Sequence, residues 1–185
     1  MKILYQGNEG AYSQLAAKEI FPDSELISCK TFEECFKKSS NDESLRTIIP
    51  IENSIAGRVA DIQYLMNKYK LQIYAEHFHK VSHNLMARQG VLIDNLKYVR
   101  SHSQAISQCQ KLINDYKLEP IIAADTAGSA KYISENSLED EAAIASTLAA
   151  KIYNLEILKS NIEDDKKNIT RFLFMGKKIE HPEFK

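Results

Sequence analysis

Short β-branched runs alternate along the chain with longer stretches whose apolar residues recur every three to four positions. The runs at 3–6, 26–29, 47–51, 73–78, 85–88, 98–101, 121–124, 142–145 and 172–175 read as strands. Between them, 13–20, 32–38, 59–68, 104–116, 127–135 and 147–153 read as helices. On the 104–116 stretch, Ile106, Cys109, Leu112, Ile113 and Tyr116 fall on one stripe, as a helix packed on a sheet requires. This alternation predicts an α/β protein with largely parallel sheets. Four predicted strand ends run into small polar clusters expected to open helices. They are Gly7-Asn8-Glu9-Gly10-Ala11-Tyr12-Ser13, Glu52-Asn53-Ser54-Ile55-Ala56-Gly57, Ser101-His102-Ser103-Gln104 and Asp125-Thr126-Ala127-Gly128-Ser129. One such cluster is most simply a helix cap. Four at one kind of position predict a cleft for an anionic ligand, because helix N-termini outside strand ends present unpaired N–H groups.

Two features divide the chain into lobes. The stretch 71–87 is long, extended and hardly broken by turn residues, as a crossover between two sheets would be. The final apolar strand follows a charged turn and reads as returning to the first sheet. The expected first lobe is therefore 1–74 plus 168–185, and the second 75–167, with a small-molecule cleft between them.

Composition removes several classes. A chain of 185 residues buries about 70% of its unfolded surface, so folding requires neither disulfides nor a structural metal. With 24 basic and 25 acidic residues there is no excess of positive charge for nucleic acid. No apolar stretch approaches the ~20 residues that span a bilayer, and the opening run is too short for a signal-peptide core. Cys29, Cys35 and Cys109 are odd in number and lack C-x-x-C spacing, which reads as reduced thiols in the cytoplasm. His77, His79 and His83 would share one face of a strand. A metal site is one reading; with no cysteine or carboxylate cluster in sight to complete a ligand set, solvated or hydrogen-bonded imidazoles are the simpler one. Asp164-Asp165-Lys166-Lys167 reads as a solvated turn.

Four motifs go further. Pro50-Ile51-Glu52-Asn53-Ser54-Ile55-Ala56-Gly57-Arg58-Val59, Ser101-His102-Ser103-Gln104-Ala105-Ile106-Ser107-Gln108-Cys109, Asp125-Thr126-Ala127-Gly128-Ser129-Ala130 and Asn168-Ile169-Thr170-Arg171-Phe172 resemble, in this order, the motifs of prephenate dehydratases. The glycine-rich opening is similar to that family's N-terminal motif, so the resemblance covers the chain to about Met175. It implies a two-lobed α/β fold of the type II periplasmic-binding-protein kind with an interlobe active-site cleft. It also implies decarboxylative dehydration of prephenate to phenylpyruvate in phenylalanine biosynthesis, with no cofactor or metal. By this resemblance Thr170 is the essential threonine, followed by Arg171 and Phe172; Glu52 and Asn53 match the Glu-Asn pair, and Ser101 and Gln108 the Ser…Gln pair. The sequence departs from the family at Ser103, where proline is usual, and at Ala11 and Tyr12, where Thr and Phe are common; any contact by that lost hydroxyl would pass to Ser13. The chain ends at Lys185, too soon for the ACT domain typical of the family, so feedback through that domain is not expected. A homodimer is left open, and arogenate is the alternative substrate. The rival class is a non-catalytic two-lobed module that binds small anions.

The chemistry accounts for these residue types. Loss of CO2 and hydroxide aromatises the ring, so the driving force lies in the substrate. A hydroxyl donor against the departing oxygen lowers the barrier, a role suited to Thr170, with a relay through Ser101, Gln108 or water as the open alternative. The ring carboxylate is better left without a strong cation, against an apolar wall such as Phe172. The surviving pyruvyl carboxylate can be anchored near Asn53, Ser54, Thr126 and Ala127. Arg171 is either an anchoring cation or a salt bridge orienting its strand. Glu52 is either functional or an orienter of Asn53, and Gln108 either faces solvent or serves the site.

Overall fold

The computed structural model describes residues 1–136 and 138–177. In chain order the elements are β1 (Lys2–Gln6), α1 (Tyr12–Ile20), β2 (Glu25–Cys29), α2 (Phe32–Asn41), β3 (Leu45–Asn53), β4 (Gly57–Arg58), α3 (Ile62–Tyr69), β5 (Gln72–Lys80) and β6 (Asn84–Ala87). There follow β7 (Tyr98–His102), α4 (Ser103–Ser107), α5 (Gln110–Asp115), β8 (Glu119–Ala123), α6 (Thr126–Asn136), β9 (Glu141–Ala145), α7 (Thr147–Ile152), β10 (Glu156–Lys159) and β11 (Ile169–Gly176). The chain separates into two compact units. The first comprises Met1–Gly7, Ser13–Lys80 and the chain from Ile169 onward; the second comprises Asn8–Tyr12 and Val81–Asn168.

The first unit is a sheet in the order β2-β1-β3-β11-β5, with β4 hairpinned onto β3. Its core gathers Leu4, Phe36, Ile49, Leu65, Leu173 and Met175, and each fully buried side chain of this size contributes roughly 1.5–3 kcal/mol. α2 starts where it does because Thr31 accepts a hydrogen bond from the Glu34 N–H, with Glu33 and Glu34 in the first turn and Lys38 in the last. The second unit is a sheet in the order β10-β6-β9-β7-β8. One side of its core holds Leu85, Val99, Ile106, Leu112 and Ile144, and the other holds Met86, Ala127, Ala130, Ile133 and Ala149. The alanines let backbones approach. Gly10 lies so close to Ala149 that a Cβ there would fall 2.6 Å from the Ala149 Cα, and its φ of +91° already disfavours a side chain.

Several expectations need correction. The sheets are mixed rather than largely parallel. β1 pairs in parallel with β2 and β3, and β7 with β8 and β9. β11, however, runs antiparallel between β3 and β5, and β6 runs antiparallel between β10 and β9. A closing strand that comes back from the other unit is free of the right-handed βαβ crossover that enforces parallel pairing. The unit boundary falls after Lys80 and not after Tyr74, because β5 stays paired to β11 along its whole length, from Gln72 to Lys80. Residues 178–185 of the expected first lobe lie outside the described residues. The Glu52–Gly57 cluster opens no helix; it is the turn of the β3–β4 hairpin, and α3 begins only at Ile62. The single helix expected over 104–116 is two, α4 and α5, separated at Gln108 and Cys109. Asp164 supplies the cap that this break requires: its carboxylate accepts from the Gln110 and Lys111 N–H groups at 2.8 and 3.2 Å. β10 and the two-residue β4 carry too little apolar pattern to be read from sequence.

Candidate active site

In the first unit, Thr170 lies opposite Asn53 on β3 and opposite His79 on β5. Both Asn53 and Thr170 are buried. The Asn53 amide orientation is set by the hairpin turn: its Oδ1 accepts from the Ile55 and Ala56 N–H groups at 3.0 and 2.9 Å. That leaves Nδ2 to donate to Thr170 Oγ1, at 2.9 Å, and more weakly to the Ile169 carbonyl at 3.3 Å. A hydroxyl carries one hydrogen and two lone pairs. Because Thr170 accepts from Asn53, its own hydrogen is the one it gives, and accepting a bond polarises the hydroxyl toward donation. Strand alternation puts Phe172 on the same face as Thr170; it is 1% exposed and packs edge-on against His79. Ser54 joins the same turn, its Oγ accepting from the Ile169 N–H at 2.9 Å.

The neighbouring charged candidates face the other way. Glu52 is exposed, and its register partners are Arg171 and Arg58. The Arg171 guanidinium meets the Glu76 carboxylate, Nη2 at 2.7 Å and Nε at 2.9 Å. Of the two readings of Arg171, this geometry matches the salt bridge that orients its strand. Ser13, on the first turn of α1, is buried.

In the second unit Gln108 does not face solvent. The break between α4 and α5 takes it off the helical register, and it is buried. Its Oε1 accepts from Asn168 Nδ2 at 2.8 Å and lies 2.9 Å from His83 Nε2. His83 Nδ1 lies 2.8 Å from the Tyr12 hydroxyl, which also reaches the Ser82 carbonyl at 2.8 Å. Glu163, buried nearby, accepts from the His83 N–H at 2.9 Å. Burial holds the His83 ring below its ordinary pKa, although Gln108 and Glu163 pull the other way. A neutral ring with its hydrogen on Nε2 donates to Gln108, and its bare Nδ1 shares the single Tyr12 hydrogen with the Ser82 carbonyl. Burial first, then Cys109 and Glu163, raise the Tyr12 hydroxyl well above the usual phenol value, so it stays protonated.

Ser101 is fully buried and donates to the Ile144 carbonyl at 2.7 Å, which ties β7 to β9. Thr126 and Ala127 form the first turn of α6, capped by Asp125, whose carboxylate accepts from the Gly128 N–H and from Asn8 Nδ2. A Cβ at Gly128 would press on that carboxylate at 2.8 Å and on Asn8 Nδ2 at 2.9 Å, so a side chain there would displace the cap. His83, Asn168 and Tyr12 were not among the expected site residues. Asn168 heads the Thr170 motif, and the Tyr12 hydroxyl was the visible departure from the family pattern; nothing in the sequence marks His83 as their partner. Sequence reading also missed Glu19. It belongs to α1, yet its carboxylate lies 2.8 Å from His77 Nε2 and 3.0 Å from His79 Nδ1. The carboxylate that a His-rich ligand set lacked is therefore present, while His83 stands apart in the second unit.

Two α/β units exchanged by crossovers, each a mixed sheet, define a fold of the two-lobed type II periplasmic-binding-protein kind. A lipoprotein of Treponema pallidum, Tp32, superposes with a TM-score of 0.50 at 10% identity over 95% of this chain and 82% of that one, a likeness of fold alone. A family model of prephenate dehydratases matches residues 3–180, and the chain belongs to that family. It is 39% identical over 177 residues to an arogenate dehydratase/prephenate dehydratase of Arabidopsis thaliana, covering 96% of this chain and 46% of the relative. Among solved structures, a prephenate dehydratase from Arthrobacter aurescens in complex with L-Phe matches with a TM-score of 0.90 at 25% identity, over 100% of this chain and 63% of that one. A quorum-quenching acylase, GqqA, matches with a TM-score of 0.91 at 34% identity, over 98% and 66%. The chain spans about half the length of the curated relatives it matches.

Proposed function

We propose that this chain catalyses the decarboxylative dehydration of prephenate to phenylpyruvate, with arogenate as the alternative substrate that differs only in its side chain. The observation that carries this reading is the Asn53–Thr170 hydrogen bond, with the other end of the Asn53 amide held by two backbone N–H groups. In the reaction the bond from ring to carboxylate breaks and leaves its electron pair in the ring. The C–O bond at the para position breaks, and the departing oxygen takes a proton to leave as water. Thr170 donates its hydrogen bond to that oxygen, a contact that strengthens as negative charge grows. Phe172 supplies the apolar wall against which the ring carboxylate loses its charge. Ser54 in the first unit and Thr126 and Ala127 in the second are the candidates for the surviving carboxylate. Aromatisation drives the reaction, so the chemistry calls for no redox partner or electron sink. The three free, buried cysteines among the described residues suit a reducing compartment, which supports a cytoplasmic location. Among the described residues no helix is long and apolar enough to cross a membrane.

The test incubates the purified protein with prephenate and with arogenate, following phenylpyruvate by absorbance and phenylalanine by chromatography. Turnover of one or both is expected, and Thr170→Val should lower kcat by roughly 10²–10⁴-fold with folding intact. Absence of turnover on both substrates, with binding retained, would leave the anion-binding module as the better reading. A parallel incubation with an acylated homoserine lactone separates this reading from the acylase activity of related proteins.

A further inference from the structure

Glu19, His77 and His79 are assigned no step in the chemistry just described, although His79 packs against Phe172. His77 and His79 are two positions apart on β5 and therefore project from one face of the sheet. Glu19 comes from the last turn of α1. The donor atoms of all three lie within 4.8 Å of one another. Both rings address the same carboxylate oxygen, Oε2. Burial by itself would raise the Glu19 carboxyl, yet the hydrogen bonds from His79 and His77 outweigh it and hold it below the ordinary value.

We propose that Glu19, His77 and His79 are a binding site for a divalent transition-metal ion of the zinc class, which clamps α1 to β5. Donors about 2.0–2.1 Å from a tetrahedral ion sit roughly 3.4 Å apart. The carboxylate oxygen and the ring nitrogens, now 2.8 and 3.0 Å apart, must open by about half an ångström, and the two ring nitrogens, within 4.8 Å of each other, must settle at the same spacing. Two imidazoles and a carboxylate are the donor set of zinc, cobalt and nickel; magnesium and calcium want oxygen cages. The side chains of His77 and Glu19 are 25% and 47% exposed, so an ion has a path in and solvent can fill its fourth position. To bind, each ring gives up the N–H it now points at Glu19, either to its other nitrogen or to water. The ion would act structurally: His79 and His77 pair in register with Thr170 and Phe172, so it would hold the strand beside those residues. The site stands whether or not the chain is a dehydratase.

The test is titration of the chelator-treated, full-length protein with Co²⁺ and with Zn²⁺. One equivalent of Co²⁺ should produce the visible d–d bands of a four- or five-coordinate ion, Zn²⁺ should displace it, and Mg²⁺ should do neither. Zn²⁺ should raise the melting temperature of the parent protein. His77→Ala, at the more accessible of the two histidines, and Glu19→Gln, which keeps the side-chain shape, should each weaken Co²⁺ binding at least tenfold and cancel that rise. Less than one equivalent bound, or affinity unchanged in both variants, would overturn the site.

Discussion

Asn53 and Thr170 lie 117 positions apart in the chain and 2.9 Å apart through their side chains. What matters chemically is the direction of that bond. An amide nitrogen that donates to Thr170 turns the threonine hydrogen outward, whereas a carboxylate at the same place would draw that hydrogen onto itself. Asn53→Asp preserves the acceptor used by Ile55 and Ala56 and replaces the donor to Thr170, at the cost of the weaker bond to the Ile169 carbonyl. The variant should therefore fold like the parent, with an unchanged circular dichroism spectrum. Its kcat should fall at least a hundredfold, on the scale of one misdirected hydrogen-bond donor, while KM changes much less. Equal losses in kcat and in stability would mean that the bond is structural only. The same reasoning separates the neighbours of these two residues. Glu52 and Arg171 are adjacent to them in sequence, yet alternation along a strand turns them to the opposite, solvated face. An exposed ion pair such as Arg171–Glu76 contributes at most about 1 kcal/mol.

At the scale of elements, the interruption between α4 and α5 is the feature with consequences. A continuous helix would have turned Gln108 about 200° away from Ile106, toward solvent. The break instead buries Gln108 against His83 and Asn168, and Asp164 caps the helix that resumes. This arrangement needs a neutral His83 ring, faced by Tyr12 and Gln108 with Glu163 close by. Burial depresses the folded-state pKa of His83, so as pH falls the unfolded chain takes up a proton before the folded one does. Stability contributed by the neutral ring is thus complete above the ordinary histidine value, about 6.5, and is lost as pH drops below it. Urea midpoints measured from pH 7.5 down to 5 should fall more steeply for the parent than for His83→Gln, after allowance for the variant's lower starting stability. Parallel slopes for the two proteins would show that His83 does not titrate in this way.

At the scale of the whole molecule, the first unit is assembled from segments distant in sequence, with β11 inserted between β3 and β5. Among the described residues β5 has no other strand to pair with, so residues 1–80 by themselves should remain largely unfolded. Adding a peptide of residues 168–185 should restore strand signal and amide protection; a 1–80 fragment that folds cooperatively without it would contradict this account. Much of the architecture was legible beforehand, because periods of 2 and 3.6 are properties of local sequence: nine strands and five of the six expected helices lie where the pattern put them, within a few residues. The candidates Asn53, Thr170 and Phe172 were legible differently, by the resemblance of linear motifs to those of a family, and not by any hydrophobic period. Strand direction was not, since an antiparallel return looks the same as a parallel one in hydrophobic period. Nor was the fate of the polar candidates. Ser101 donates to a sheet carbonyl, Gln108 is buried, and Glu19 meets two histidines from another element. Sequence alone determined the order and kind of the elements and the residue types available for chemistry. Tertiary structure decided which of those side chains meet and which way each hydrogen bond points, because partners separated by 25 to 117 positions are chosen by packing and leave no period in the chain.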